Sequence, residues 1–143
     1  MMTMRLPTLL ILLVIFCGSC DEKIFTGNVN CDECYTERPD EADLVIDLTI
    51  NNKYPVVFIT IFNGDIEDNN IVASAYADYS PYYIYVPVNR TYSIQAVYNS
   101  GNQKVNVIDG TNLRVLSVTD ACTEQCYVIE NEKLDARLKQ GYP

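Results

Sequence analysis

Hydrophobic and polar residues alternate along much of the chain after residue 42. In the stretch DLVIDLTI, Leu44, Ile46, Leu48 and Ile50 fall on one face of an extended chain, and more polar residues fall between them. Successive side chains of a strand point to opposite faces, so an apolar period of two residues indicates a half-buried β-strand. We therefore expect the folded domain to begin near Leu44.

Nine short segments carry a strand pattern, at spacings of about ten residues. They are residues 43–50, 56–62, 71–77, 82–88, 91–98, 104–108, 113–118, 126–129 and 134–138. Asn63-Gly64 and Asp109-Gly110 are typical of turns between strands. Only residues 132–140 offer room for a short helix, and their alternation fits a strand equally well. The pattern predicts an all-β sandwich or barrel.

The first residues have a different character. Arg5 is the only charged residue before Asp21, and an apolar run extends from Leu6 to Phe16. A membrane-spanning helix needs about 20 apolar residues, so this run is too short to be one. A basic start, a short apolar run and small residues before a cleavage site are typical of a secretory signal peptide.

The cleavage site resembles the lipobox of bacterial lipoproteins. Gly18 and Ser19 are small and precede Cys20. The resemblance implies that Cys20 is lipidated on sulfur, becomes the new N-terminus and is acylated again. It covers residues 1–20 and departs from the family at Cys17, where an aliphatic residue is usual. The alternative is an ordinary signal peptide that contains two cysteines.

This resemblance and the strand pattern together predict a division of the chain, and the resemblance implies a location. Residues 1–19 would be the signal peptide, residues 20–42 a polar tether with a cysteine cluster, and residues 43–143 the β-sandwich domain. The membrane would be a partner through the lipid, and the location the bacterial outer membrane, on its periplasmic or its cell-surface side. The acidic residues after Cys20 fit an export tag, a retention tag or a solvated tether.

Four further cysteines form two clusters, Cys31 with Cys34 and Cys122 with Cys126. Disulfides are favoured because the cell envelope is oxidising. A four-cysteine zinc site and a redox-active CxxC motif are the alternatives. Disulfides between the clusters close much longer loops than disulfides within them, and longer loops restrict the unfolded chain more. We therefore expect the two clusters to lie side by side and to pair with each other.

Composition excludes some functions. The chain has 19 acidic and 10 basic residues, a net charge of −9, and no histidine. Such a chain is repelled by nucleic acid. Without histidine it lacks the commonest general base, so we do not expect an enzyme or a bound cofactor.

An acidic loop is a candidate calcium site. Asp65, Glu67 and Asn69 follow Asn63-Gly64 and alternate as oxygen donors, the ligand type that calcium prefers. The glycine and the distal glutamate of an EF-hand are absent. A solvated hairpin loop explains the same residues.

A tyrosine-rich stretch, YADYSPYYIY (residues 76–85), is a candidate binding patch. Tyrosine combines an apolar ring with a polar tip and is common at interfaces. Tyr79, Tyr83 and Tyr85 would form the patch, with another envelope protein or a surface glycan as its partner. Alternation places Tyr83 and Tyr85 on one face and Tyr82 and Ile84 on the other, and at least one of the two faces is expected to belong to the core. Ordinary strand packing is the alternative.

The stretch VPVNRTYSIQAVYNSG resembles the penultimate strand of fibronectin type III domains. The matching positions are Val88, Thr91, Tyr92, Ile94, Ala96 and Gly101. The resemblance implies a single immunoglobulin-like antiparallel β-sandwich in which the Tyr92 hydroxyl bonds to the backbone upstream. That family ends one strand later, whereas this chain continues further, so a prealbumin-like or carboxypeptidase-regulatory-like sandwich is an equal alternative. A sandwich does not define a function.

The function that fits best is a lipid-anchored envelope protein that acts in binding, assembly or surface adhesion without catalysis. The alternative is a metal-binding or redox-active lipoprotein that uses the four clustered cysteines.

Overall fold

A computed structural model describes residues 29–119 and 122–139. These residues form eight strands and one short 3₁₀ helix, with no α-helix among them. The strands are β1 (Glu41–Asp47), β2 (Val57–Asn63), β3 (Ile71–Ala77), β4 (Tyr82–Pro87), β5 (Arg90–Ser100), β6 (Gln103–Val118), β7 (Cys126–Glu130) and β8 (Lys133–Asp135), and the 3₁₀ helix is Ile66–Asp68. We expected the domain to start near Leu44, and the first strand begins three residues earlier, at Glu41.

The strands form two sheets that pack face to face. One sheet has three strands in the order β4-β1-β8, and the other has five in the order β3-β2-β5-β6-β7. Strands β1 to β6 follow the arrangement of strands B, C, C′, E, F and G of an immunoglobulin-type sandwich, and β8 lies beside β1 where strand A would be. The prediction of an all-β sandwich is confirmed.

The core lies between the inner faces of the two sheets, where the alternating pattern places apolar side chains. On β1, Leu44 and Ile46 are completely buried, and Leu48 is buried just beyond the strand. On β5, the alternating residues Tyr92, Ile94, Ala96 and Tyr98 are at most 1% exposed. The period-two reading of these two strands is therefore confirmed.

Tyr92 forms the predicted corner. Its hydroxyl donates a hydrogen bond of 2.6 Å to the backbone carbonyl of Pro87, five residues upstream. The side chain is buried in the core. The bond holds the connection between β4 and β5 against the inner face of the larger sheet.

The predicted turn at Asp109-Gly110 is wrong. Both residues lie inside β6, where Asp109 pairs with Ile94 and Gly110 pairs with Ser93 of β5. The long strand β5 offers backbone partners along its whole length, and the backbone of Gly110 has no positive φ. Two expected strands therefore merge into one.

The last strand departs from the expected antiparallel arrangement. β8 pairs in parallel with β1, and Ala136 N–H donates to the carbonyl of Asp47 at 3.0 Å. A core residue holds the end of β8 in place, because the Tyr98 hydroxyl donates a hydrogen bond of 2.7 Å to the carbonyl of Ala136. After β7 the chain crosses from the five-stranded sheet to the three-stranded sheet, and this crossing sets the direction in which β8 pairs with β1. The alternation of apolar and polar residues along the sequence does not predict such a crossing.

Candidate functional site

The two cysteine clusters lie side by side, as expected, and are joined by two disulfides. Cys31 is bonded to Cys122 and Cys34 to Cys126, with Cα atoms 5.8 and 5.7 Å apart. Tyr35 exchanges two backbone hydrogen bonds with Tyr127 of β7, of 2.9 and 2.8 Å. The predicted tether is thus attached to the edge of the five-stranded sheet from Cys31 onward.

The distances between the sulfur atoms show whether these cysteines are placed to bind a metal ion. The sulfurs of Cys34, Cys122 and Cys126 all lie within 4.8 Å of one another, and those of Cys122 and Cys126 are 3.7 Å apart. Tetrahedral zinc with Zn–S bonds of about 2.3 Å needs sulfurs about 3.8 Å apart. The Cys122–Cys126 separation is near that value, but the sulfurs of Cys34 and Cys126 are bonded to each other, and zinc binds thiolates rather than disulfides. Cys31 and Cys34 do not pair with each other, so the CxxC motif does not form a local disulfide.

The tyrosines of β4 divide between two faces as predicted. Tyr83 and Tyr85 are 53% and 63% exposed and lie on the outer face of the three-stranded sheet, beside Val45 and Asp43 of β1. Tyr82 and Ile84 face inward and pack against the core. We call Tyr83 and Tyr85 the tyrosine face.

Tyr79 is not part of the tyrosine face. It lies in the connection between β3 and β4, where its ring contacts that of Tyr82 at 5.4 Å between centroids. It is exposed, and its ring contact is with Tyr82, which lies on the opposite face of β4 from Tyr83 and Tyr85. The structure therefore brings together two of the three tyrosines of the candidate patch.

The exposed apolar side chains of the described residues concentrate in one segment. Of nine large apolar residues with exposed side chains, six lie between Ile71 and Tyr85. Asp78 is the only charged residue from Ile71 to Val88, in a chain with 20% charged residues. Tyr76 lies on the outer face of the five-stranded sheet, whereas Tyr83 and Tyr85 lie on the outer face of the three-stranded sheet, so the segment exposes apolar side chains on both sheets.

One exposed tyrosine of this segment is not in the patch predicted from the sequence. Tyr76 on β3 is 76% exposed, and its ring contacts that of Phe58 on β2 at 4.9 Å. It lies on the outer face of β3, because Ala73 and Ala75 on the other face pack against the core. The small apolar residues at 73, 75 and 77 are the sequence signal that could have placed Tyr76 outside.

A groove of about 420 Å³ lies next to the tyrosine face. It is lined by Tyr83, by Tyr35 of the disulfide-linked segment and by the carboxylate residues Glu33, Asp43 and Glu132. Among its lining residues in the described chain, none is basic. The attachment of the segment to β7 therefore creates one wall of a groove that the tyrosine face borders.

The acidic loop forms a short 3₁₀ turn. Asp65 precedes the turn and Asn69 ends it with a left-handed backbone, φ 51°. Among the described residues, the cysteines are the only group of three or more His, Cys, Asp or Glu ligand atoms close enough for a metal ion. The carboxylates of Asp65 and Glu67 belong to no such group, so calcium binding stays a prediction.

The predicted lipidation site, Cys20, lies outside the described residues, as does the signal peptide. In the portion of the chain that is described, no helix has the length and hydrophobicity to cross a membrane.

Comparisons with family models, with curated proteins and with solved structures found no match to this chain.

Proposed function

We propose that this chain is a lipid-anchored protein of the bacterial cell envelope whose β-sandwich is a non-enzymatic module for binding or assembly. Cys20 carries the lipid and anchors the protein in the outer membrane. The tyrosine face contacts another envelope component, a protein or a surface glycan.

The observation that carries the proposal is the composition of the segment from Ile71 to Val88, which contains the exposed tyrosines of β4 and almost no charge. A chain with a net charge of −9 is expected to expose charge on most of its surface, yet this segment carries only Asp78. Charged residues are depleted and tyrosine is enriched at the centre of interfaces. The segment thus has the composition of a contact surface.

The anchor has a physical basis in the sequence. Each buried CH₂ group of a lipid contributes about 0.8 kcal/mol, and stable attachment needs more than one acyl chain. A lipobox cysteine receives several chains. The disulfides at Cys31 and Cys34 join the segment that follows the proposed lipid site to the β-sandwich.

The anchor is tested by membrane fractionation of Cys20→Ala, with Cys17→Ala as the matched control. We expect Cys20→Ala to leave the membrane fraction or to stay unprocessed. Cys17→Ala should fractionate like the wild type. Equal behaviour of Cys20→Ala and the wild type would contradict the anchor.

The contact surface is tested by a photoreactive amino acid placed in living cells at Tyr85 of the full chain. We expect it to cross-link to an envelope component. The matched control is Ile108 on β6, which is similarly exposed, at 61% against 63%, on the other sheet. Absence of cross-links at Tyr85, or equal cross-links at Ile108, would argue against a contact at the tyrosine face.

Zinc binding is a second candidate, because the fold brings the two cysteine clusters together and the sulfurs of Cys122 and Cys126 lie 3.7 Å apart. It requires that the disulfides be reduced. Zinc analysis and thiol titration of the protein purified from cells decide between the two states. Bound zinc with free thiols supports zinc, whereas no zinc and no free thiols among these cysteines supports disulfides.

A further inference from the structure

Within residues 29–119 and 122–139, no strand pairs with the outer edge of β4, and the backbone groups free at that edge can be identified. β4 is an end strand of its sheet, bonded on one side to β1. Just beyond the end of β4, Val88 N–H donates to the carbonyl of Asp40, and this pair continues the register of β4 with β1. In an antiparallel pair, the backbone groups of every second residue point toward the partner strand. The even-numbered residues of β4 therefore point their N–H and C=O groups toward β1. The N–H and C=O groups of Tyr83 and Tyr85 therefore point away from the sheet at its free edge.

Prolines enclose this edge on both sides. Pro87 is odd-numbered, so its missing N–H falls at the free edge and costs the sheet no hydrogen bond, as is usual for proline in edge strands. Pro81 precedes the strand by one residue. Between them the free edge offers a short, regular set of donors and acceptors from Tyr83 and Tyr85.

The sequence of this edge reads almost the same in both directions. From Pro81 to Pro87 it is Pro-Tyr-Tyr-Ile-Tyr-Val-Pro, with Ile84 at its centre and a single mismatch between Tyr82 and Val86. A two-fold contact between identical chains places residue i opposite j and residue j opposite i. A nearly palindromic strand therefore meets its own copy with like residues opposite each other.

We propose that β4 pairs antiparallel with β4 of a second copy of this chain, about a two-fold axis at Ile84. Tyr83 then lies opposite Tyr85 of the second copy, and Tyr85 opposite Tyr83. The two three-stranded sheets become one six-stranded sheet. The inference rests on the proposed function, because it names the partner of the tyrosine face.

Geometry and charge both favour a second copy as the occupant. Tyr83 and Tyr85 have outward backbone groups, so each cross-strand pair exchanges two hydrogen bonds, about four in total. The same pairs bring exposed tyrosine rings together, and aromatic cross-strand pairs stabilise sheets. No charged residue lies between Pro81 and Val88, so two strongly acidic chains meet here without opposed charges.

So short a contact is weak between proteins in dilute solution. Attachment of every copy to one membrane raises the effective concentration that each copy experiences. We therefore expect the pair to form on membranes, and the test uses the full chain there.

The first test uses two tagged copies of the full chain in one cell, one of them with the photoreactive residue at Tyr85. A cross-linked product that carries both tags supports the pairing. A product that contains only a different partner overturns the second-copy inference and leaves the proposed binding function standing. No product at Tyr85 overturns both.

The second test is a charge swap that reports on register. Tyr83→Lys with Tyr85→Lys places lysine opposite lysine in both pairs, whereas Tyr83→Lys with Tyr85→Glu places lysine opposite glutamate. We expect co-purification of the two tags from solubilised membranes to fall about tenfold or more for the lysine pair and to persist for the lysine–glutamate pair. Thermal unfolding of both variants checks that they fold. Equal co-purification of the two folded variants, or loss in both, overturns the register.

Discussion

Removal of one disulfide should cost far less than its loop length implies, because the two bonds close nearly the same loop. Cys31 and Cys122 are 91 residues apart, and Cys34 and Cys126 are 92 apart. The perturbation is the pair Cys34→Ser/Cys126→Ser, compared with the pair Cys31→Ser/Cys122→Ser and with all four substitutions together.

The chain-entropy model gives the magnitudes. A single bond across a loop of this length stabilises the fold by about 4 to 5 kcal/mol. With that bond in place, the other closes only the small ring of residues 31–34 and 122–126, worth about 2 to 3 kcal/mol. Either pair alone should therefore lose about 2 to 3 kcal/mol, and all four substitutions about 7 kcal/mol.

Urea unfolding followed by tyrosine fluorescence measures these losses, since the chain has eleven tyrosines and no tryptophan. A loss of about 7 kcal/mol is comparable to the whole stability of an ordinary domain, so the fourfold variant should be largely unfolded. A loss of 4 to 5 kcal/mol for either pair alone, about the full long-loop value, would refute the shared-loop reasoning. So would a fourfold variant as stable as either pair.

Three further outcomes follow from the buried tyrosines. Tyr92→Phe removes the bond to Pro87 and should lose about 1 to 2 kcal/mol in urea, whereas Tyr85→Phe at the surface should match the wild type. Tyr98→Phe should lose more, about 2 to 3 kcal/mol, because the Tyr98 hydroxyl donates to Ala136 and accepts from the N–H of Thr49 at 3.0 Å. Burial raises the pKa of Tyr92 and Tyr98 above the usual 10.0. Above about pH 10 the unfolded chain therefore binds fewer protons than the folded chain, and the free energy of unfolding falls as pH rises. Urea midpoints measured from neutral to alkaline pH should decline less in Tyr92→Phe/Tyr98→Phe, and an equal decline would contradict the assignment.

Local pattern was sufficient where a strand has one buried face. The alternation at Leu44, Ile46 and Leu48 and along β5 identified inner faces correctly, because burial on one side of a sheet imposes a period of two. The Tyr92 corner was also found from sequence, because the chain around it resembles a known strand. The cross-pairing of the cysteines followed from loop entropy.

Non-local features could not be read from the chain. Asp109-Gly110 has the composition of a turn, but the long strand β5 beside it offers backbone partners throughout, and pairing overrides the local preference. The parallel partner of β8 depends on which strands become neighbours. The free edge of β4 likewise required the sheet order, although its near-palindrome is visible in the sequence.

The most direct test of the proposed anchored module is the intact mass of the protein extracted from bacterial membranes. We expect a chain that begins at Cys20 and carries a lipid on sulfur and an acyl group on its new N-terminus. A membrane-extracted chain that retains residues 1–19, or that begins at an unmodified residue, would contradict the anchor on which the proposed function depends.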